Sequence, residues 1–233
     1  MSILSLTGLL FVLRWLHFFF GIIWIGMLYY FNFVQGAFFA ETHAATKSNA
    51  TQKLVPRALW WFRWGAMFTF LTGLTILAIR GHTDGAEAFK TSWGVLILSG
   101  AALGTLMWAN VLFVIWPAQK VVIQSAVQAA TPGGKPIPEA ATRAARATVA
   151  SRTNVLFSIP MLFFMGAANH LPIYMAEGVS PWAPLGAVGV ILLLLEMNAL
   201  KGKTGPMTTI KGVIHSGFAL AVVLYCVIEF TTK

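Results

Sequence analysis

Ionisable side chains inside long apolar runs are where this sequence could do chemistry, since a charge at the bilayer centre costs about 2.5–3.5 kcal/mol to insert. Arg14 and His17 stand three apart in Leu13-Arg14-Trp15-Leu16-His17 and share a helical face, with Gly21, Trp24 and Gly26 following. Lys211 and His215 stand four apart, again on one face, and Gly217 comes next. Asn169-His170 closes a third apolar run. Two imidazoles facing each other across a helical bundle are a normal way to hold the iron of a b-type haem, one ring nitrogen binding iron while the other donates to a partner. Gly21 near His17 and Gly217 near His215 suit the close approach of a flat macrocycle. Arg14 suits a haem propionate, which its guanidinium fork can grip bidentately. These residues point to one haem b, or two, with His17 and His215 as axial ligands. His170 is then a substitute ligand or the ligand of a second, outer haem. His43 and His82 fall in loops and read as solvated side chains.

The elements that must position these groups follow from composition. The chain has 233 residues, 58% apolar and 10% charged, with a mean hydropathy of +0.75. Soluble domains average about 25% charge, so the water-soluble globular classes are excluded and an all-α, polytopic membrane bundle is expected. Six runs reach the roughly 20 apolar residues a spanning helix needs. They lie at about 5–34, 58–79, 92–118, 153–174, 182–200 and 207–230, within one integral membrane domain over residues 1–233. The first run is too long for an untilted span, and no basic segment precedes it as in a cleavable signal peptide. The single cysteine, Cys226, excludes an internal disulfide, a Cys-x-x-Cys-His haem attachment and a cysteine zinc site within these residues.

Charge orients the bundle. Lys47, Lys53, Arg57, Lys120, Lys135, Arg143, Arg146, Arg152, Lys201 and Lys203 belong to the odd-numbered loops, against Arg80, Lys90 and Lys233 on the other side. The positive-inside rule places the odd loops in the cytoplasm and both termini in the periplasm of a bacterial inner membrane. Lipid-facing loop charge thus accounts for the formal +9 without nucleic acid. On this frame His215 lies roughly 22 Å below Phe230 and His17 roughly 18 Å below Ser5, at matched depth, with His170 shallower. In the polar stretch 120–152, Thr131-Pro132-Gly133-Gly134 reads as a turn, and the residues from Pro138 read as a cytoplasmic extension of the fourth helix with a solvated face. Ser151-Arg152-Thr153-Asn154 opens the span itself, with Arg152 reaching headgroups and Asn154 capping backbone donors. Trp60, Trp61, Trp64 and Trp116 form an aromatic belt. Arg63, Asn110 and Glu196 are weaker site positions, among which a quinone pocket is conceivable.

Several blocks resemble the membrane domain of bacterial urate hydroxylases: Leu13-Arg-Trp-Leu-His17 with Gly21-Ile-Ile-Trp24-Ile-Gly26, Trp61-Phe-Arg-Trp64 with Thr72-Gly73, Ser151-Arg-Thr-Asn154, Ser158-Ile-Pro-Met161 and Asn169-His170. They run in order through the first four helices. The first block is also similar to copper-resistance membrane proteins and to the membrane protoporphyrinogen oxidase family. In urate hydroxylases a periplasmic cytochrome c domain follows the last span, whereas this sequence ends at Lys233 without a Cys-x-x-Cys-His. The resemblance therefore implies a haem b electron-transfer subunit between a periplasmic cytochrome c, or another redox subunit, and a quinone or oxidase. Two alternatives stay open. One is a urate hydroxylase-type enzyme working with a separate cytochrome c, and the other a transport or assembly subunit whose histidines carry copper or protons.

Overall fold

The structure is a computed structural model that describes residues 2–233. Its helices are α1 (Leu6–Glu41), α2 (Ala44–Lys53), α3 (Val55–Thr83), α4 (Ser92–Ala129), α5 (Ala140–His170), α6 (Trp182–Lys201) and α7 (Ile210–Thr231). No strand occurs among the described residues. All except α2 are long and apolar enough to cross a membrane, giving the six-span architecture of a multi-pass membrane protein. Hydroxyl caps start three of them: Ser5 accepts from the Gly8 amide, Thr91 from Gly94 and Thr209 from Gly212. Glycines in the left-handed region turn the chain after two of them, Gly85 at φ 74° beyond α3 and Gly133 at φ 73° beyond α4.

Each expected span falls on a helix, the fourth overrunning its helix by residues 171–174, and three helices run past their apolar runs by seven residues or more at one end. α1 continues to Glu41, α4 to Ala129, and α5 begins at Ala140. Hydropathy marks only the lipid-exposed length, while alanine-, glutamine- and arginine-rich flanks carry the helix onward. The expected helical extension ahead of the fourth span is thus present, with Pro138 in the turn just before it. Ser151–Asn154 consequently does not open a helix. It lies well inside α5, where Thr153 and Asn154 are buried and Asn154 caps nothing.

α1 and α4 each pass through one π-helical turn, Tyr30–Gln35 and Asn110–Ile115. Such turns are rare and cluster at functional sites.

α5 is the central post. It packs against α4, α6 and α7 and touches α1 over part of its length, while α1 pairs chiefly with α3 as an antiparallel hairpin. Small residues permit these crossings. A Cβ on Gly65 would stand 3.0 Å from the Trp24 backbone nitrogen, and one on Gly217 would collide with Ile159. The short α2 lies across α3 and α4 at the end of the bundle that carries the basic loops. At the opposite end every loop cation is paired, Arg80 with Asp84, Lys90 with Glu87 and Lys233 with Glu229. The charge asymmetry read from the sequence is therefore sharper in the fold, and its excess sits at the basic end.

Candidate functional site

Polar side chains meet in two places, among α4, α5 and α6 and along the seam between the hairpin and α5. Asn110 Nδ2, in the π turn of α4, donates to Asn154 Oδ1 of α5 at 3.0 Å and to Glu196 Oε2 of α6 at 3.0 Å. Asn154 Nδ2 donates to the Met107 carbonyl at 2.9 Å, just where the α4 ladder widens into its π turn. Nearer the hairpin, Tyr29 Oη and Ser158 Oγ lie 2.9 Å apart. Asn32 Nδ2 donates to Ser151 Oγ at 2.8 Å and to the Leu28 carbonyl at 2.9 Å. Asn110 and Asn154 are almost wholly buried. Buried amides bonded across helices act as interhelical glue, although Asn110 Oδ1 has no partner.

His17 has a different environment. Its Nδ1 is 3.1 Å from Thr72 Oγ1 on α3. The Thr72 hydroxyl spends its one proton on the Phe68 and Thr69 carbonyls, at 2.7 and 3.0 Å. With its proton on a carbonyl the hydroxyl accepts from His17, in the tautomer that carries the proton on Nδ1 and the lone pair on Nε2. A metal-ligating imidazole is held in just this way, its other nitrogen donating to an outer partner. The glycine that makes room for the ring is Gly73, where a Cβ would stand 2.9 Å from His17 Cε1. Gly21, expected to admit a flat macrocycle beside His17, faces Thr69 Cγ2 at 3.9 Å. Arg14, one turn away, is exposed and lies on the side of His17 remote from the basic end.

The expected pairing of His17 with His215 is not what the packing gives. The Tyr29–Ser158 bond sets the register of α1 against α5. Counted from it toward the less basic end, His17 and His170 are each twelve residues away, about 18 Å at 1.5 Å per residue. His215, two residues before the Gly217 that meets Ile159, lies on the basic side of the Ser158 level. Roughly 18 Å of bundle axis thus separates His17 from His215, and α7 packs on α5 and α6 while α1 packs on α3 and α5. Measuring depth from Ser5 and Phe230 assumed a shared starting level. The 36-residue α1 projects well past the 22-residue α7. His170, the last residue of α5, lies at the His17 level by the Tyr29–Ser158 bond and about 6 Å beyond it by the Asn32–Ser151 bond, and is exposed, as is His215. Among the described residues no three His, Cys, Asp or Glu side chains group as a metal centre.

Other side chains stand where sequence reasoning did not put them. Arg63 is sandwiched between the Trp64 and Trp116 rings, 5.0 and 4.3 Å from their centroids, so these tryptophans clamp a cation as well as line an interface. Tyr29, Asn32 and Gln35 were overlooked as site positions. Their signal was polar spacing of three inside an apolar run, which the insertion cost of polar groups makes informative.

A family described as urate oxidase N-terminal matches residues 82–227, more than half the chain, and the chain belongs to that family. The match takes in His170, His215 and the Asn110–Asn154–Glu196 cluster, and begins beyond His17. Neither curated proteins nor solved structures gave a match.

Proposed function

We propose, starting from that membership, that the chain is the integral-membrane haem b subunit of a urate hydroxylase-type oxidoreductase. It relays electrons between a periplasmic redox partner and a quinone or oxidase. The observation that carries this reading is the His17–Thr72–Gly73 arrangement, an imidazole with one nitrogen committed to a hydroxyl, the other free, and a glycine beneath its edge. His17 Nε2 is the axial ligand in this reading. His170, near the same level, supplies the second imidazole, and Arg14 lies within one turn to meet a propionate. The bound group would supply one-electron transfer, while Thr72 fixes the tautomer that makes His17 a ligand. With one cysteine these residues attach no c-type haem, and the periplasmic redox partner in this reading is a cytochrome c. The basic loops face the cytoplasm of a bacterial inner membrane and both termini face the periplasm.

The test is an absorption spectrum of detergent-solubilised protein, oxidised and dithionite-reduced. A sharp reduced alpha band is expected. His17→Ala should abolish it or convert the iron to high spin, and His215→Ala should leave it intact. A wild type devoid of haem, or an unchanged low-spin spectrum in His17→Ala, refutes the assignment.

The family description favours a second reading, in which the chain itself helps oxidise urate with a separate cytochrome c. Urate-dependent reduction of the subunit in vesicles lacking other redox proteins distinguishes the two.

A further inference from the structure

A cavity of about 200 Å³ lies at the basic end, between α1, α3, α4 and α5. It exceeds the hole of about 150 Å³ that accommodates benzene in a protein core. The π turn of α1 supplies Phe31, Asn32 and Gln35 to its wall, and α5 supplies Arg152. Phe31 and Phe62 meet edge to face there, with ring centroids 5.6 Å apart, giving an apolar side.

Two side chains of this wall each hold a buried atom without a hydrogen-bond partner, Arg152 its Nη1, a cationic donor, and Gln35 its Oε1, an acceptor; both atoms are shut from a water-sized probe, so an occupant meets them as the two side chains turn inward. Asn32 cannot relieve them through its amide nitrogen, which is spent on Leu28 and Ser151. No Asp or Glu lines the cavity, and Arg152 is in none of the ion pairs among the described residues. A partly buried guanidinium without a counter-charge is costly, and so is an orphaned carbonyl oxygen. One occupant answers both needs.

We propose that this cavity binds a small organic monoanion of the hydroxycarboxylate class. The carboxylate sits on Arg152, the hydroxyl donates to Gln35 Oε1, and the carbon body rests against Phe31 and Phe62. The cavity is at the opposite end of α1 from His17, so the proposal stands independently of haem. The same anionic chemistry could come from a lipid headgroup, and the test separates the two sources.

Purified full-length protein in nanodiscs of phosphatidylcholine is titrated calorimetrically with glycolate, lactate and 3-hydroxybenzoate. Benzoate, lacking the donor, and 3-hydroxybenzamide, lacking the charge, are the comparison probes. Saturable binding of at least one hydroxycarboxylate is expected, with 3-hydroxybenzamide at least tenfold weaker than 3-hydroxybenzoate. Arg152→Gln should weaken the acids tenfold or more, with Arg152→Lys intermediate. Gln35→Leu should reduce 3-hydroxybenzoate to the affinity of benzoate while leaving benzoate unchanged. The wild-type probe series holds even where a variant fails to assemble. Absence of saturable binding, equal binding of amide and acid, or loss of binding when phosphatidylglycerol enters the nanodisc would each overturn the proposal, the last by assigning the site to a headgroup.

Discussion

Asn154→Ala is the perturbation from which most can be calculated. The side chain is 0% exposed and joins two helices, accepting from Asn110 at 3.0 Å and donating to the Met107 carbonyl at 2.9 Å. Interhelical hydrogen bonds in membranes average about 0.6 kcal/mol with a maximum of about 1.7, so two contribute about 1–2 kcal/mol. Truncation leaves a void among fully packed side chains, adding about 1 kcal/mol. Asn110 keeps Glu196 as a partner, which limits the orphaning term to the Met107 carbonyl at the π turn. A destabilisation of about 2–3 kcal/mol is expected, measured by equilibrium unfolding in mixed micelles. Thr105→Ala serves as control, because Thr105 is exposed and bonds only its own helix at Ala101, and should change stability by less than about 0.5 kcal/mol. The double variant Asn110→Ala/Asn154→Ala should show a coupling of about 0.6 kcal/mol or more. Strict additivity, or an Asn154→Ala variant as stable as the control, would refute the network as a source of cohesion.

Two further outcomes are expected. Gly65→Ala places a Cβ 3.0 Å from the Trp24 nitrogen and should cost about 1–3 kcal/mol by forcing α1 from α3; thermal unfolding that matches wild type would show that the hairpin can part freely there. A reporter active only in the periplasm should be active after Lys233 and silent near Gly134, since the unpaired basic residues gather at the Gly134 end, and the opposite pattern would invert the orientation.

The spans were legible because twenty-residue apolar runs admit few other structures. What escaped was everything that depends on register between helices. Asn154 looked like a cap because hydropathy starts there, yet the helix had begun at Ala140. His17 and His215 looked level because depth was counted from chain positions, whereas the Tyr29–Ser158 bond and the Gly217–Ile159 contact set the actual offset. The close approach of Gly73 to the His17 ring comes from the facing helix, 56 residues away in sequence, and left no local signal. The π turns left no sequence signal beyond Asn32 and Asn110, single polar residues within apolar runs.

The distribution of unsatisfied groups separates cohesion from function. Within α4, α5 and α6, Asn110, Asn154 and Glu196 bond to one another, with Asn110 Oδ1 left without a partner, and the family match from residue 82 covers that unit. The α1–α3 hairpin joins it through Tyr29–Ser158 and Asn32–Ser151, side-chain bonds on the basic side of the bundle. Of the seven buried side-chain polar atoms without a partner among the described residues, four are on the hairpin, in Trp24, Gln35, Arg63 and Arg80. A hairpin that served only to cover the bundle would have apolar side chains at those positions, because each orphaned group costs stability that a hydrocarbon does not. The polar groups persist where the hairpin meets the bundle, beside a π turn, a cavity and an imidazole with a free nitrogen. On the proposed function, variants of the hairpin and of its contact with the bundle should alter ligand binding before they alter assembly.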